Sequence, residues 1–163
     1  MKFAKTYRSL NKITHLNLET IYVRDLFQNL QPLLKPSLTT KQILLTSTVE
    51  PPDLKLVIDI YLIEQVLINL ILNAIDASEA SSHPEIQVLA KKDVDNNIML
   101  LVSDNGTGIP PEILDSIFIP FFTTKKDGSG IGLSLCKQIM MLHKGKIILN
   151  SIEGKGTAVK LVF

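Results

Sequence analysis

The stretch from Ile60 to Ala77 constrains this chain more than any other, because it runs for about five helical turns without a proline or glycine and follows Asp59, a residue suited to an N-cap. Steps of about 100 degrees place Gln65, Asn69, Asn73 and Asp76 within roughly 80 degrees of one another, as a single polar stripe. Leu62, Val66, Leu70 and Ala74, with Ile63, Leu67 and Ile71, supply the other faces, so the helix is apolar nearly all round except for this strip. Such a helix is a core helix. Amide side chains buried without partners cost free energy, so Asn69 and Asn73 must be paired inside the protein or must face something polar that the chain does not contain.

A core of the required size is available. The 163 residues, 45% of them hydrophobic, suffice for one main domain and are too few for two of ordinary size. With 17 basic and 16 acidic residues interspersed, there is no basic surplus to hold a nucleic-acid backbone or an anionic membrane surface, so neither is expected as a partner. Cys136 stands alone, which excludes an internal disulfide, offers no zinc spacing and fits a reducing, cytoplasmic compartment; it reads as a small buried hydrophobe. No run approaches the roughly 18 apolar residues of a membrane span. An anchor elsewhere in a longer parent protein is compatible with this.

Phe3, Tyr7, Leu10 and Ile13 recur at helical spacing and predict a short N-terminal helix. Val23, Leu26, Phe27, Leu30 and Leu33 predict a second helix that Pro32 kinks or ends and that stops by Leu34, because Pro36 follows. Gln42 to Thr46 and Leu54 to Ile58 read as short strands around a turn at Pro51 and Pro52. Glu85 to Lys91 and Asn97 to Ser103 read as a hairpin whose strands alternate weakly, as buried ones do. Asp104 to Asp127 is a long loop with a short apolar knot at Ile117 to Phe122, and loops of this length in a compact domain are usually functional. A helix from Gly132 to His143, ended by Gly145, and a closing hairpin of Lys146 to Ile152 with Thr157 to Phe163 complete the chain.

Four further segments could carry chemistry. SDNGTGIPP, Ser103 to Pro111, ends an apolar strand with a carboxylate followed by two glycines, which lets a ligand ring approach the backbone while Asp104 accepts a hydrogen bond from it. GSGIGLSL, Gly128 to Leu135, runs into a helix whose N-terminal amides suit phosphate oxygens, although its spacing is not that of a dinucleotide fingerprint. In FIPFFTTKK, Phe118 to Lys126, the two lysines could reach a phosphate and Phe121 and Phe122 could anchor a closing loop. EGKGT, Glu153 to Thr157, is by itself a hairpin turn. Each taken alone is as well explained by a solvated turn or a glycine cap.

Their order is more specific. NLILNAIDA, DNGTGIP, FIPFFTTK, GSGIGLSL and GKGT resemble, in sequence, the N, G1, F and G2 boxes and the last glycine element of the catalytic ATP-binding domain of bacterial two-component sensor histidine kinases, within the superfamily that includes gyrase, the Hsp90 chaperones and MutL. The likeness runs from about Leu26 to Phe163. It implies an α/β fold, a two-layer sandwich of a mixed sheet against helices with a mobile ATP lid, and ATP and Mg²⁺ as cofactors. Asn73 is implied to hold Mg²⁺ with Asn69 beside it as a catalytic residue, and Asp104 to accept from the adenine amino group. Asp76, Gly106, Gly108, Ile109, Phe122, Thr124, Gly128, Ile131 and Leu133 are implied to line the nucleotide. Lys125 would meet phosphate, Gly130 and Gly132 would supply backbone donors, and Thr157 would support the adenine end through Asp104 or a water. Gyrase-like members carry glutamate where Asn69 stands, and an amide cannot act as a general base at neutral pH, so the resemblance points to a kinase with slow hydrolysis.

The acceptor histidine of such kinases is followed by an acidic residue, whereas His15, His83 and His143 precede Leu16, Pro84 and Lys144. The implied partners are therefore ATP or ADP, a helical dimerisation and phosphoacceptor domain outside this chain, and indirectly a response regulator. Residues 1–16 read as the remnant of that helical domain or a linker, and 17–163 as the catalytic domain. Two rivals share the boxes: a serine kinase of the anti-sigma-factor type, and a nucleotide-sensing module without transfer activity.

Overall fold

A computed structural model describes residues 15–126 and 128–163. The expected N-terminal helix lies outside them. The elements are β1 (Glu19–Tyr22), α1 (Val23–Thr40), β2 (Leu44–Glu50), β3 (Lys55–Ile58), α2 (Ile60–Ser78), β4 (Glu85–Lys92), β5 (Ile98–Asp104), a 3₁₀ turn (Pro111–Ser116), α3 (Gly132–Leu142), β6 (Lys146–Ile152) and β7 (Gly156–Val162). Five strands form one mixed sheet in the order β2-β4-β5-β7-β6, with β2 and β4 parallel and the other pairs antiparallel; β1 and β3 form a separate antiparallel pair.

The register puts one apolar face on the sheet. Val88 pairs with Val102 and Val102 with Val159, while Ala90 pairs with Leu100 and Leu100 with Leu161, and all of these are buried. Alternation in β4 is therefore clean, buried on one face and exposed on the other, and not the weak pattern expected of a strand covered on both sides. Against this face lie the helices. Ile63, Val66, Leu67, Leu70, Ile71, Ala74 and Ile75 of α2 join the same core as Leu26, Leu30 and Leu34 of α1 and Leu135, Ile139 and Met140 of α3. By length and composition α2 would also pass for a membrane span, but seven of its apolar residues lie in this domain's core.

Two expectations for α1 are overturned. The helix does not end at Pro32 or stop by Leu34; it continues to Thr40 with Pro32 and Pro36 inside it. Each proline removes one backbone bond and costs about 3 kcal/mol in a helix interior. Val23, Leu26, Phe27, Leu30 and Leu34 bury one face, at about 1.5–3 kcal/mol each, and that sum exceeds the cost of two prolines. The stripe runs through Leu34, whereas Leu33 is 63% exposed. Strand β2 begins two residues later than expected and extends to Glu50. The short polar segment ETIY gave no strand signal, yet β1 pairs with β3 from Glu19 opposite Ile58 to Tyr22 opposite Lys55.

Pro32 is exposed, so restoring its N–H leaves packing untouched. Pro32→Ala is expected to raise the unfolding free energy by about 1–3 kcal/mol in urea denaturation. A neutral or destabilising result would show that α1 is already broken at that turn.

Candidate functional site

On α2 the polar stripe lies off the core: Gln65, Asn69 and Asn73 are half-buried and Asp76 is exposed. The structure also shows what meets it. Lys125, from the long loop after β5, donates from Nζ to Asn73 Oδ1 at 2.9 Å and to Asp76 Oδ2 at 2.6 Å. Lys41, just past the end of α1, reaches Asp76 Oδ1 at 3.5 Å and pairs closely with Glu79. The Asp76 carboxylate thus sits between two ammonium groups. One turn earlier, Asn69 Nδ2 donates to Cys136 Sγ on α3 at 3.2 Å.

The second wall is the end of β5. Asp104 follows Leu100 and Val102 at a spacing of two and so lies on the helix-facing side of the sheet, opposite Thr157 of β7. Its Oδ1 accepts the Gly106 N–H at 2.9 Å. Burial pushes the Asp104 carboxyl above the usual range, opposed by the N–H groups of Gly106 and Thr157. Gly106 must be glycine for steric reasons, since a Cβ there would lie 2.4 Å from the Ala77 carbonyl oxygen. That same carbonyl accepts the Thr107 N–H at 3.0 Å and so joins the loop to the end of α2.

The closing hairpin supports this loop. Gly154 N–H donates to Thr107 O at 2.7 Å, and Ile109 N–H donates to Ser151 Oγ at 2.8 Å, beside Gly108. Ser151 Oγ also lies 2.8 Å from Thr157 Oγ1. Thr157 therefore meets Asp104 through its backbone and Ser151 through its hydroxyl. Neither Ser151, Lys41 nor Cys136 was legible as a site neighbour. Lys41 and Asp76, for example, are 35 residues apart in a chain whose pairing no motif announces.

Between the walls runs the segment 109–128. The 3₁₀ turn and buried Ile117 fasten its first half, while Phe122 is half-buried and Phe121, expected as an anchor, is 67% exposed. Phe121 N–H donates to Gly130 O at 2.8 Å, and Gly128 N–H to Lys125 O at 3.1 Å; Thr124 is exposed. Buried Ile131 precedes α3, no side chain caps that helix's first turn, and Leu133 packs partly on the core. The expected residues thus gather at one edge of the sandwich, with Asn73 and Asp104 on adjoining walls and Gly130 to Leu133 at the third. A separate notch of about 380 Å³ between α1 and β2 shares no residue with the stripe.

His143 is accounted for structurally. Its Nε2 accepts the Asp59 N–H at 3.0 Å and its Nδ1 donates to Ile139 O at 2.8 Å, so both ring nitrogens are engaged in holding the start of α2.

Residues 58–163 match the family described as histidine kinase-, DNA gyrase B-, and HSP90-like ATPases. The chain belongs to that family. It is 37% identical over 147 residues to the sensor histidine kinase ZraS of Salmonella typhimurium, across 90% of this chain and 31% of that protein. It therefore spans about a third of that relative. The nucleotide-free catalytic domain of histidine kinase ThkA has the same fold, with a TM-score of 0.80 and 30% identity over 91% of this chain and 95% of that one. Histidine kinase ThkA in complex with the response regulator protein TrrA matches with a TM-score of 0.78 and 27% identity, over 97% of this chain and 45% of that one. Within the ATPase family, this chain is an ATP-binding catalytic domain of the sensor histidine kinase type.

A carboxyl whose folded-state pKa is raised stabilises the ATPase domain relative to an ordinary carboxyl while protonated, and that contribution is lost as pH rises from about 4 through the raised value. Urea denaturation of Asp104→Asn and wild type between pH 3.5 and 7, without nucleotide, is expected to show the difference moving in the variant's favour as pH rises. A difference independent of pH would contradict the raised value.

Proposed function

We propose that this domain binds ATP with Mg²⁺ and donates the γ-phosphoryl group to a histidine on a helical dimerisation and phosphoacceptor domain outside this chain, with a response regulator downstream. The observation that carries this reading is the ammonium of Lys125 at Asn73 Oδ1 and Asp76 Oδ2, because it puts a cation at the residues assigned to metal and phosphate. Mg²⁺ fits this donor set. The described residues hold no group of three or more His, Cys, Asp or Glu able to cage a metal, so a cation at Asn73 would take its other ligands from phosphates and water, as Mg²⁺ commonly does. When bound, the metal would neutralise charge on the phosphates.

This chain's own residues do the rest. Asp104 accepts a hydrogen bond at the base end and selects adenine, since guanine presents an acceptor where adenine presents a donor. Gly106, Gly108 and Ile109 line the base, held by Ala77, Gly154 and Ser151. Asn73 would hold the metal through Oδ1, the atom that Lys125 occupies here, and Lys125 would then be free to turn to phosphate. Phe122, Thr124 and Gly128 travel with that lysine on the lid, and the amides of Gly130 to Leu133, at an uncapped helix N-terminus, meet the phosphate oxygens. In the transfer, the bond from the γ-phosphorus to its bridging oxygen breaks, a bond to the acceptor imidazole nitrogen forms, and ADP leaves. Asn69 does not activate water, which keeps hydrolysis slow. Residues 17–163 form the catalytic unit in this reading.

Calorimetry with Mg²⁺ and ATP is expected to show binding, with GTP far weaker. Asp104→Ala should weaken ATP by about 1.5–3 kcal/mol, roughly 10- to 150-fold, and Asn73→Ala should remove the dependence on Mg²⁺. Incubation with a helical phosphoacceptor domain and γ-labelled ATP should yield acid-labile phosphate. Acid-stable phosphate, or ATP binding unchanged by Asp104→Ala, would sink the proposal.

A further inference from the structure

Asn69 and its neighbours on α3 carry more detail than the role of a bystander to Asn73 requires. Its Nδ2 donates to Cys136 Sγ at 3.2 Å, and Cys136 Sγ in turn lies 3.9 Å from the Val66 carbonyl oxygen, one turn back on α2. Cys136 is buried, and burial pushes its thiol up to about 12, so it is a protonated thiol at neutral pH and not a nucleophile. A thiol has one proton to give. With that proton directed to Val66 O, the sulfur can only accept from Asn69, and this fixes which end of the amide faces it.

The other side of the amide is equally confined. Gly132 lies four residues before Cys136 and hence on the same face of α3. A Cβ on Gly132 would stand 2.5 Å from Asn69 Oδ1 and 2.7 Å from Nδ2. The amide is therefore seated in a slot between a bare Cα and a sulfur, with its nitrogen at Cys136 and its face against Gly132, the first residue of α3, where the helix's amides are uncapped.

We propose that Cys136 is a positioning residue: through the chain Asn69 Nδ2–H, Cys136 Sγ–H and Val66 O it locks the Asn69 amide in one orientation beside the phosphate end of the site. This rests on the phosphoryl-transfer reading for its consequence but not for the contact itself. Leaving the Asn69 amide free to flip would exchange donor and acceptor beside the transferring group, which misdirects that group and leaves adenine binding at Asp104 intact.

The test uses the 163-residue chain with Cys136→Val, which fills the space without an acceptor, and Cys136→Ser, which keeps both an acceptor and a donor. In nitrogen-15 NMR without nucleotide, the Asn69 side-chain protons of the wild type should be well separated and slow to exchange with water. Cys136→Val should bring them together and speed exchange at least tenfold, and Cys136→Ser should restore them. Unchanged Asn69 resonances in Cys136→Val would overturn the contact, whether or not the domain transfers phosphate. In transfer assays to a helical phosphoacceptor domain, Cys136→Val should lower kcat about fivefold with the KM for ATP within twofold, and Cys136→Ser should recover it. A kcat unmoved while the NMR signature changes would overturn the positioning role, and absence of transfer by wild type would instead overturn the function proposed above.

Discussion

The Ala77 carbonyl and the Thr107 N–H, 3.0 Å apart, make the joint on which the site depends. Ala77 stands in the last turn of α2, where helix carbonyls have no intrahelical donor and need one from elsewhere. The loop after β5 supplies it, and can come close enough only because Gly106 has no side chain to strike that oxygen. In consequence Asp104 and the stripe of α2, which belong to different layers of the sandwich, face one opening. At its other end α2 is fixed as firmly. Asp59 caps it through Oδ1 to the Leu62 N–H, takes the Asn17 N–H on Oδ2, and donates its own N–H to His143. A helix held at both ends and buried along one side has no freedom to rotate, so the direction of Asn69 and Asn73 is set by the core.

Magnitudes separate what is fixed from what can exchange. Burial of the seven apolar residues of α2 contributes on the order of 10–20 kcal/mol, at about 1.5–3 kcal/mol each. The contacts of Lys125 with Asp76 are half exposed, and exposed ion pairs are worth about 0–1 kcal/mol. The wall of the site is therefore rigid on any relevant scale, while the lysine that covers it can change partners at little cost. Lys41 adds to this asymmetry. It holds one oxygen of Asp76 and leaves the other to Lys125, so Asp76 is oriented from the body of the domain as well as from the loop.

Much of this was legible in the sequence, for reasons that differ by element. Helix α2 was readable because a strip of four polar residues on an otherwise apolar helix is a periodic signal, and periodicity survives without knowledge of neighbours. The β4–β5 and β6–β7 hairpins were readable from turn residues between apolar runs. The end of α1 was not, because proline's local penalty is a fixed cost while the burial that overrides it is decided by α2 and the sheet, which lie far away in sequence. For the site, glycine and asparagine motifs gave residues that the fold brings to one edge of the sandwich. They did not give Ser151, Lys41 or Cys136, whose part is to hold those residues, because serine, lysine and cysteine at single positions carry no spacing.

The opening puzzle of two amides on a core helix has two different answers. Asn73 Oδ1 meets a lid cation that can leave, so its partner is exchangeable and the residue stays available. Asn69 meets a buried thiol and the bare face of Gly132, neither of which moves without disturbing α3. A carboxylate at position 69 would have no N–H to give the sulfur and could only take the thiol proton, drawing it from the Val66 carbonyl. The contact as it stands therefore uses the amide's donor, which a carboxylate lacks. An amide fits because it gives that sulfur a donor and keeps a second polar atom, so the contact between the two helices holds at position 69 a group that cannot act as a general base at neutral pH.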